Sequence, residues 1–153
     1  MSSRPARHPA DQVRALSEMR EALELAALRF WRNRPALLAG ILGRIVRHME
    51  AALGDGDVSA YRALDGEFHQ AIIDAGDNEF LSAAYEPIAS RAQALRNRLS
   101  RDPTLNARSV SEHRAFQQMI TEKQLAQAER LLAAHIRTTG REYVALIQGS
   151  DAN

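Results

Sequence analysis

Apolar residues recur along nearly the whole chain at intervals of three and four, the spacing that gathers side chains on one face of an α-helix. Val13, Leu16, Leu23, Ala27 and the Phe30–Trp31 pair form one such face and predict a first helix over residues 11–32. Pro35 opens a second helix in its first turn, where a missing N–H goes unused. Its stripe is Leu38, Ile41, Ile45, Met49 and Ala52, and Gly54-Asp55-Gly56-Asp57 ends it. Asp57 or Ser59 can cap a third helix reaching Ala75, with Tyr61, Leu64, Phe68 and Ile72 on one side. After the Gly76-Asp77-Asn78 break, Leu81, Ala84, Ile88, Leu95 and Leu99 predict a fourth helix over residues 79–100, with Pro87 kinking or shortening it. Residues 101–108 read as a loop. Ser109 is then expected to cap a fifth helix ending at Thr121, with Glu112 at the third helical position as in a capping box. The last helix, residues 124–148, carries Leu125, Ala128, Leu132, Ile136 and Tyr143. No segment alternates with period two, so the fold expected is all-α: an antiparallel helical bundle over residues 11–149. Residues 1–10, with no periodicity, read as a flexible leader or a linker remnant.

A chain of 153 residues suffices for one domain with a real core. Hydrophobic residues make up 45% and charged residues 25% of it, with a net charge of +1. Such a balance provides no strong uniform field to draw in nucleic acid or an anionic membrane. Among the 20 basic residues only Lys123 is a lysine; arginine alone offers a planar fork to a carboxylate. The absence of cysteine excludes disulfides, thiolate metal sites and cysteine nucleophiles. No apolar run approaches the roughly 18 residues of a membrane span, and the amino-terminal stretch lacks the apolar core of a signal peptide. A cytoplasmic protein is expected.

The candidate chemistry lies in the histidines. Of the five, His8 and His48 have no companions and read as solvated. His69 follows Asp65 by four residues, so the two stand one turn apart on one helix face and can grip one ion. His113 precedes Phe116 and Ile120 at helical spacing and points inward, and His135 continues the stripe of Ala128, Leu132 and Thr139. Three inward imidazoles and a carboxylate on three helices are costly to bury separately. One borderline divalent cation, Zn²⁺, Ni²⁺ or Mn²⁺, would satisfy all of them.

Several of these strings carry a family resemblance. Asp65-Gly66-Glu67-Phe68-His69, trailed by Ala75-Gly76-Asp77-Asn78 and Leu81, resembles the D-x-x-F-H segment and A-G-x-N turn of the C-terminal ligand domain of FadR-type GntR bacterial transcription regulators. Glu112-His113-Arg114 is similar to that family's E-H-x-x-[IL] segment, with Phe116 in place of the usual aliphatic residue. Ala126 through Ala134-His135-Ile136 resembles its closing segment, and Arg20-Glu21-Ala22-Leu23-Glu24 its opening one. The resemblance covers residues 11–147. It implies an antiparallel bundle of six to seven helices around a central metal and ligand pocket, with the metal held by one Asp and three His. Carried over, these are Asp65, His69, His113 and His135. It also implies a homodimer and a small organic-acid effector whose carboxylate touches the metal.

A second anchor for such an effector should be an inward arginine. Arg20 falls on the first helix's stripe, and Arg91 and Arg98 fall near that of the fourth. Glu67 stands about 200° round the helix from Asp65 and faces away. The chain contains no H-E-x-x-H or E-x-x-H, and no phosphate-binding glycine loop. The reading is therefore a sensor, not an enzyme; a mononuclear metalloenzyme acting on a small carboxylate and a stand-alone metal-binding bundle are the alternatives. Family regulators place a winged helix-turn-helix ahead of this domain, and no such segment is expected here, so the chain alone should not read DNA sequence.

Overall fold

A computed structural model describes residues 4–30 and 34–153; Trp31, expected on the first helix's inward face, lies outside them. Six helices follow one another: α1 Pro9–Phe30, α2 Pro35–Gly54, α3 Val58–Ala75, α4 Glu79–Leu99, α5 Pro103–Thr121 and α6 Leu125–Asp151. The described residues contain no strand. Among the described residues, no helix is long and apolar enough to cross a membrane.

Side-chain caps set three of the helix starts. Asp57 accepts from the Ala60 N–H at 3.0 Å, and Asn78 from those of Phe80 and Leu81, both at 3.0 Å; each satisfies donors that a helix start leaves bare. Gly56 holds φ at +71° in the α2–α3 turn, a left-handed conformation natural to glycine. Helix α4 runs on through Pro87.

The fifth helix corrects the sequence reading. It starts at Pro103, capped by Asp102, which accepts from the Thr104 and Leu105 N–H groups at 2.8 and 3.4 Å. An aspartate cap followed by proline at the first helical position is a start signal in its own right. Ser109 therefore lies inside α5, and the expected loop is helical from Pro103. The extra turns bring Asn106 and Arg108 onto an ordered element.

Packing arranges five helices in a ring. Helix α1 meets α3 and α6, α2 meets α3 and α5, and α5 meets α6; α4 lies outside the ring against α1 and α3. The main apolar core includes Leu38, Leu42, Met49, Phe68, Ile72, Ile120, Leu132 and Ile136. A smaller cluster, Ala10, Val13, Tyr143, Val144 and Ile147, joins the start of α1 to the end of α6. Along α1 the buried residues run from Ala10 and Val13 through Arg20 and Glu24 to Ala27 and Leu28. A buried polar layer thus crosses the bundle between the two apolar clusters.

Helix α4 shows a second departure. Its buried residues are Leu81, Tyr85, Ala92 and Arg96, not the expected Ala84–Ile88–Leu95 row. Ile88 and Leu95 are half-buried and border an open groove shared with α1, and Ala84 is exposed. An apolar row facing a groove has the same period as one facing a core, so spacing alone chose the wrong phase.

Candidate metal centre

Helix α3 presents Asp65 and His69 one turn apart, and both are buried. His113 from α5 and His135 from α6 meet them inside the ring, also buried. His113 Nε2 lies 3.3 Å from His69 Nε2 and 3.2 Å from Asp65 Oδ1, and His69 Nε2 is 3.7 Å from the same oxygen. One ring nitrogen from each of the three histidines lies within 4.8 Å of the other two. Asp65 joins the His69 and His113 side of this triplet. His8, His48 and Glu67 are exposed.

The donor set suits a divalent ion. Two ligands each roughly 2.0–2.2 Å from one ion stand roughly 3.0–3.5 Å apart at ordinary coordination angles, and the 3.2 and 3.3 Å separations fall in that range. Close as it is to both imidazoles, buried Asp65 Oδ1 has no hydrogen-bond partner. An orphaned carboxylate oxygen beside imidazole nitrogens fits the donor set of a divalent cation.

Electrostatics prepares the same set. Burial pushes His69 down to about 4, against the opposing pull of Glu24. Burial, with His135 nearby, also pushes His113 well below the ordinary histidine value. Neutral imidazoles are the form a metal binds. Asp65 would be raised by burial, but the Arg96 guanidinium and the neighbouring histidines hold it well below the carboxylate range.

Side chains that sequence reasoning did not assign to the site complete the layer. Arg96 Nε donates to Asp65 Oδ2 at 2.5 Å. Glu24 Oε2 lies 2.6 Å from His69 Nδ1, and its other oxygen accepts from Tyr85 Oη at 2.9 Å and Arg20 Nε at 3.1 Å. Burial would raise Glu24; His69 and Arg20 outweigh it and bring it to about 2. Glu112 is not a capping residue: its Oε2 lies 3.0 Å from His135 Nδ1, and its Oε1 accepts from Arg108 Nε at 2.8 Å. Arg108 also forks onto Glu142 of α6. The Arg20–Glu24 pair, at helical spacing on an inward stripe, was the one available signal for Glu24.

The three arginines expected to bind an effector part company. Arg20 is buried, lines the cavity that touches Asp65, His69 and His135, and has an Nη2 without a partner. Arg91 and Arg98 are exposed and border the outer α1–α4 groove instead. The shifted phase of α4 accounts for this, because it turns Arg96 inward in their place. The inner cavity holds about 30 Å³, with Asn106, Thr139 and Tyr143 also on its wall. That is room for two or so waters at roughly 10–15 Å³ each.

The FCD domain model matches residues 15–138, most of the chain and a span containing Asp65, His69, His113 and His135. No curated protein matches the chain in sequence.

Proposed function

The chain belongs to the FCD domain family, the C-terminal effector-binding domain of GntR-type regulators, and on that premise we propose that it senses a small organic acid through one divalent metal ion. Asp65, His69, His113 and His135 would hold the ion. The observation that carries this reading is the buried convergence of three imidazole nitrogens within 4.8 Å beside an unpartnered carboxylate oxygen. When bound, the ion supplies a positive centre with one or two open positions for an acid's carboxylate.

The protein side chains would do the rest. Arg20 offers its free Nη2 to the far end of the effector, as a charge-assisted donor fixed by Glu24. Arg96 keeps Asp65 ionised and oriented. Asn106 and Thr139 add polar wall. Arg108, half-exposed and held by Glu112, borders the same cavity. Within an intact regulator, effector binding would act by favouring one domain arrangement through its differential affinity for the two. A homodimer is part of this reading, and its mass in solution tests it.

Elemental analysis tests the centre itself: the purified protein is stripped with chelator and reloaded beside an Asp65→Ala/His135→Ala variant. About one divalent ion per chain in the parent and none in the variant is expected. Equal metal in both, or none in either, would remove the centre and leave an FCD bundle that senses by other means.

A further inference from the structure

The histidines of the centre are not held alike. His69 and His135 each have their Nδ1 against a carboxylate oxygen, at 2.6 Å from Glu24 and 3.0 Å from Glu112. His113 Nδ1 has no partner; its ring lies against Phe68, with ring centroids 4.1 Å apart. Both carboxylates are themselves tied down, Glu24 by Arg20 and Tyr85 and Glu112 by Arg108.

We propose that Glu24 on α1 and Glu112 on α5 are positioning residues for the metal centre: each accepts the Nδ1–H of one histidine and so leaves that ring's Nε2 unprotonated and aimed at the ion. This inference rests on the metal reading above. The physical argument is tautomeric. A neutral imidazole carries one proton, and an ionised carboxylate at Nδ1 claims it, because only that tautomer makes a charge-assisted bond there. The lone pair is then confined to Nε2, and the carboxylate raises the ring's basicity as a ligand. His69 Nε2 is the atom that faces His113 and Asp65, as this tautomer requires. His113, lacking such a partner, is placed by packing against Phe68. Helix α1 contributes no metal ligand, yet through Glu24 it takes part in setting the affinity of one.

Glu142 supplies the control. It shares Arg108 with Glu112 but has no contact with the histidines. Zn²⁺ affinity is measured by chelator competition for the parent protein, Glu24→Gln, Glu112→Gln and Glu142→Gln. Nitrogen-15 NMR of the metal-free proteins reads the histidine tautomers alongside. The expected result is a loss of about 10–100-fold in affinity for Glu24→Gln and Glu112→Gln, with Glu142→Gln within a few-fold of the parent. In the parent, His69 and His135 should be Nδ1-protonated, and that bias should weaken at His135 in Glu112→Gln. Glu112 is half-buried and removes the ambiguity if Glu24→Gln fails to fold. An equal loss in Glu112→Gln and Glu142→Gln would reduce the effect to net charge and overturn the proposal. So would unchanged affinity in Glu112→Gln, or Nε2-protonated His69 and His135 in the parent. A parent that binds no Zn²⁺ would instead overturn the metal reading on which the proposal stands.

Discussion

The α2–α3–α5 core and the polar layer beside it are equally buried and are built in opposite ways. In the first, Leu42, Val46, Met49, Ile72 and Ile120 are almost fully enclosed and need only volume and shape from their neighbours. In the second, Arg20, Glu24, Asp65, His69, Arg96 and His113 are as deeply enclosed, and each requires a particular partner atom. All four buried side-chain polar atoms that lack one among the described residues, Arg20 Nη2, Asp65 Oδ1, Arg96 Nη2 and His113 Nδ1, belong to this layer. A folded protein seldom tolerates such groups without use. The contrast marks out the layer without reference to any motif: the core is satisfied by shape alone, whereas the layer leaves four buried polar atoms without a protein partner.

The sharpest way to break the layer is to remove one member of its buried ion pair. Arg96→Ala leaves Asp65 charged and uncompensated, and should cost about 3–5 kcal/mol in denaturant unfolding of the metal-free protein. A loss under 1 kcal/mol would show that Asp65 is solvated or protonated there. Leu42→Ala should cost about 2–5 kcal/mol, and the same amount with or without metal, because Leu42 belongs to the apolar core rather than to the layer. A metal-dependent cost would mean that core and layer are not separable. His113→Leu should leave the metal-free protein as stable or slightly more so, since it removes an unsatisfied nitrogen. It should also forfeit the stabilisation that metal confers, about 2.7 kcal/mol at a hundredfold excess over the dissociation constant. Thermal melts with and without Zn²⁺ would show both halves.

Acid is the most graded probe, at about 1.4 kcal/mol per pH unit for each proton taken up. The folded values of His69 and His113 are depressed, so below pH 6.5 or so the unfolded chain binds the extra protons. Stability of the metal-free protein should therefore fall as pH falls from there toward about 4, the value of His69. Glu24 and Asp65, depressed as well, contribute stability above their ordinary range and extend the loss at lower pH. Metal should shift the curve, because the same protons compete for its ligands. A flat profile between pH 7 and 5 would contradict the buried neutral histidines.

Legibility in the sequence followed the same divide. Helical period alone predicts the bundle and most of its ends, since apolar spacing is local information. The convergence of Asp65, His69, His113 and His135 was also readable, because rare inward-facing types on apolar stripes stand out. The partners were not. Arg96, Tyr85 and Glu112 look like ordinary residues of half-solvated helices, and their pairings span 31, 61 and 23 residues of chain. Tertiary placement alone turns them inward. Similarly, Ser109 and Asp102 are both plausible caps, and only the proline after Asp102 decides between them.

The pairing of Arg96 with Asp65 has one more consequence, which is electrostatic balance. At the heart of the layer two carboxylates, Asp65 and Glu24, face two guanidiniums, Arg96 and Arg20, and their formal charges cancel. The interior is neutral before anything enters it. A divalent cation seated there would leave an excess of positive charge in a medium that solvates it poorly. An anion arriving beside it would relieve that excess. On the proposed reading, the resident arginines would therefore make the ion bind more firmly when an acid accompanies it.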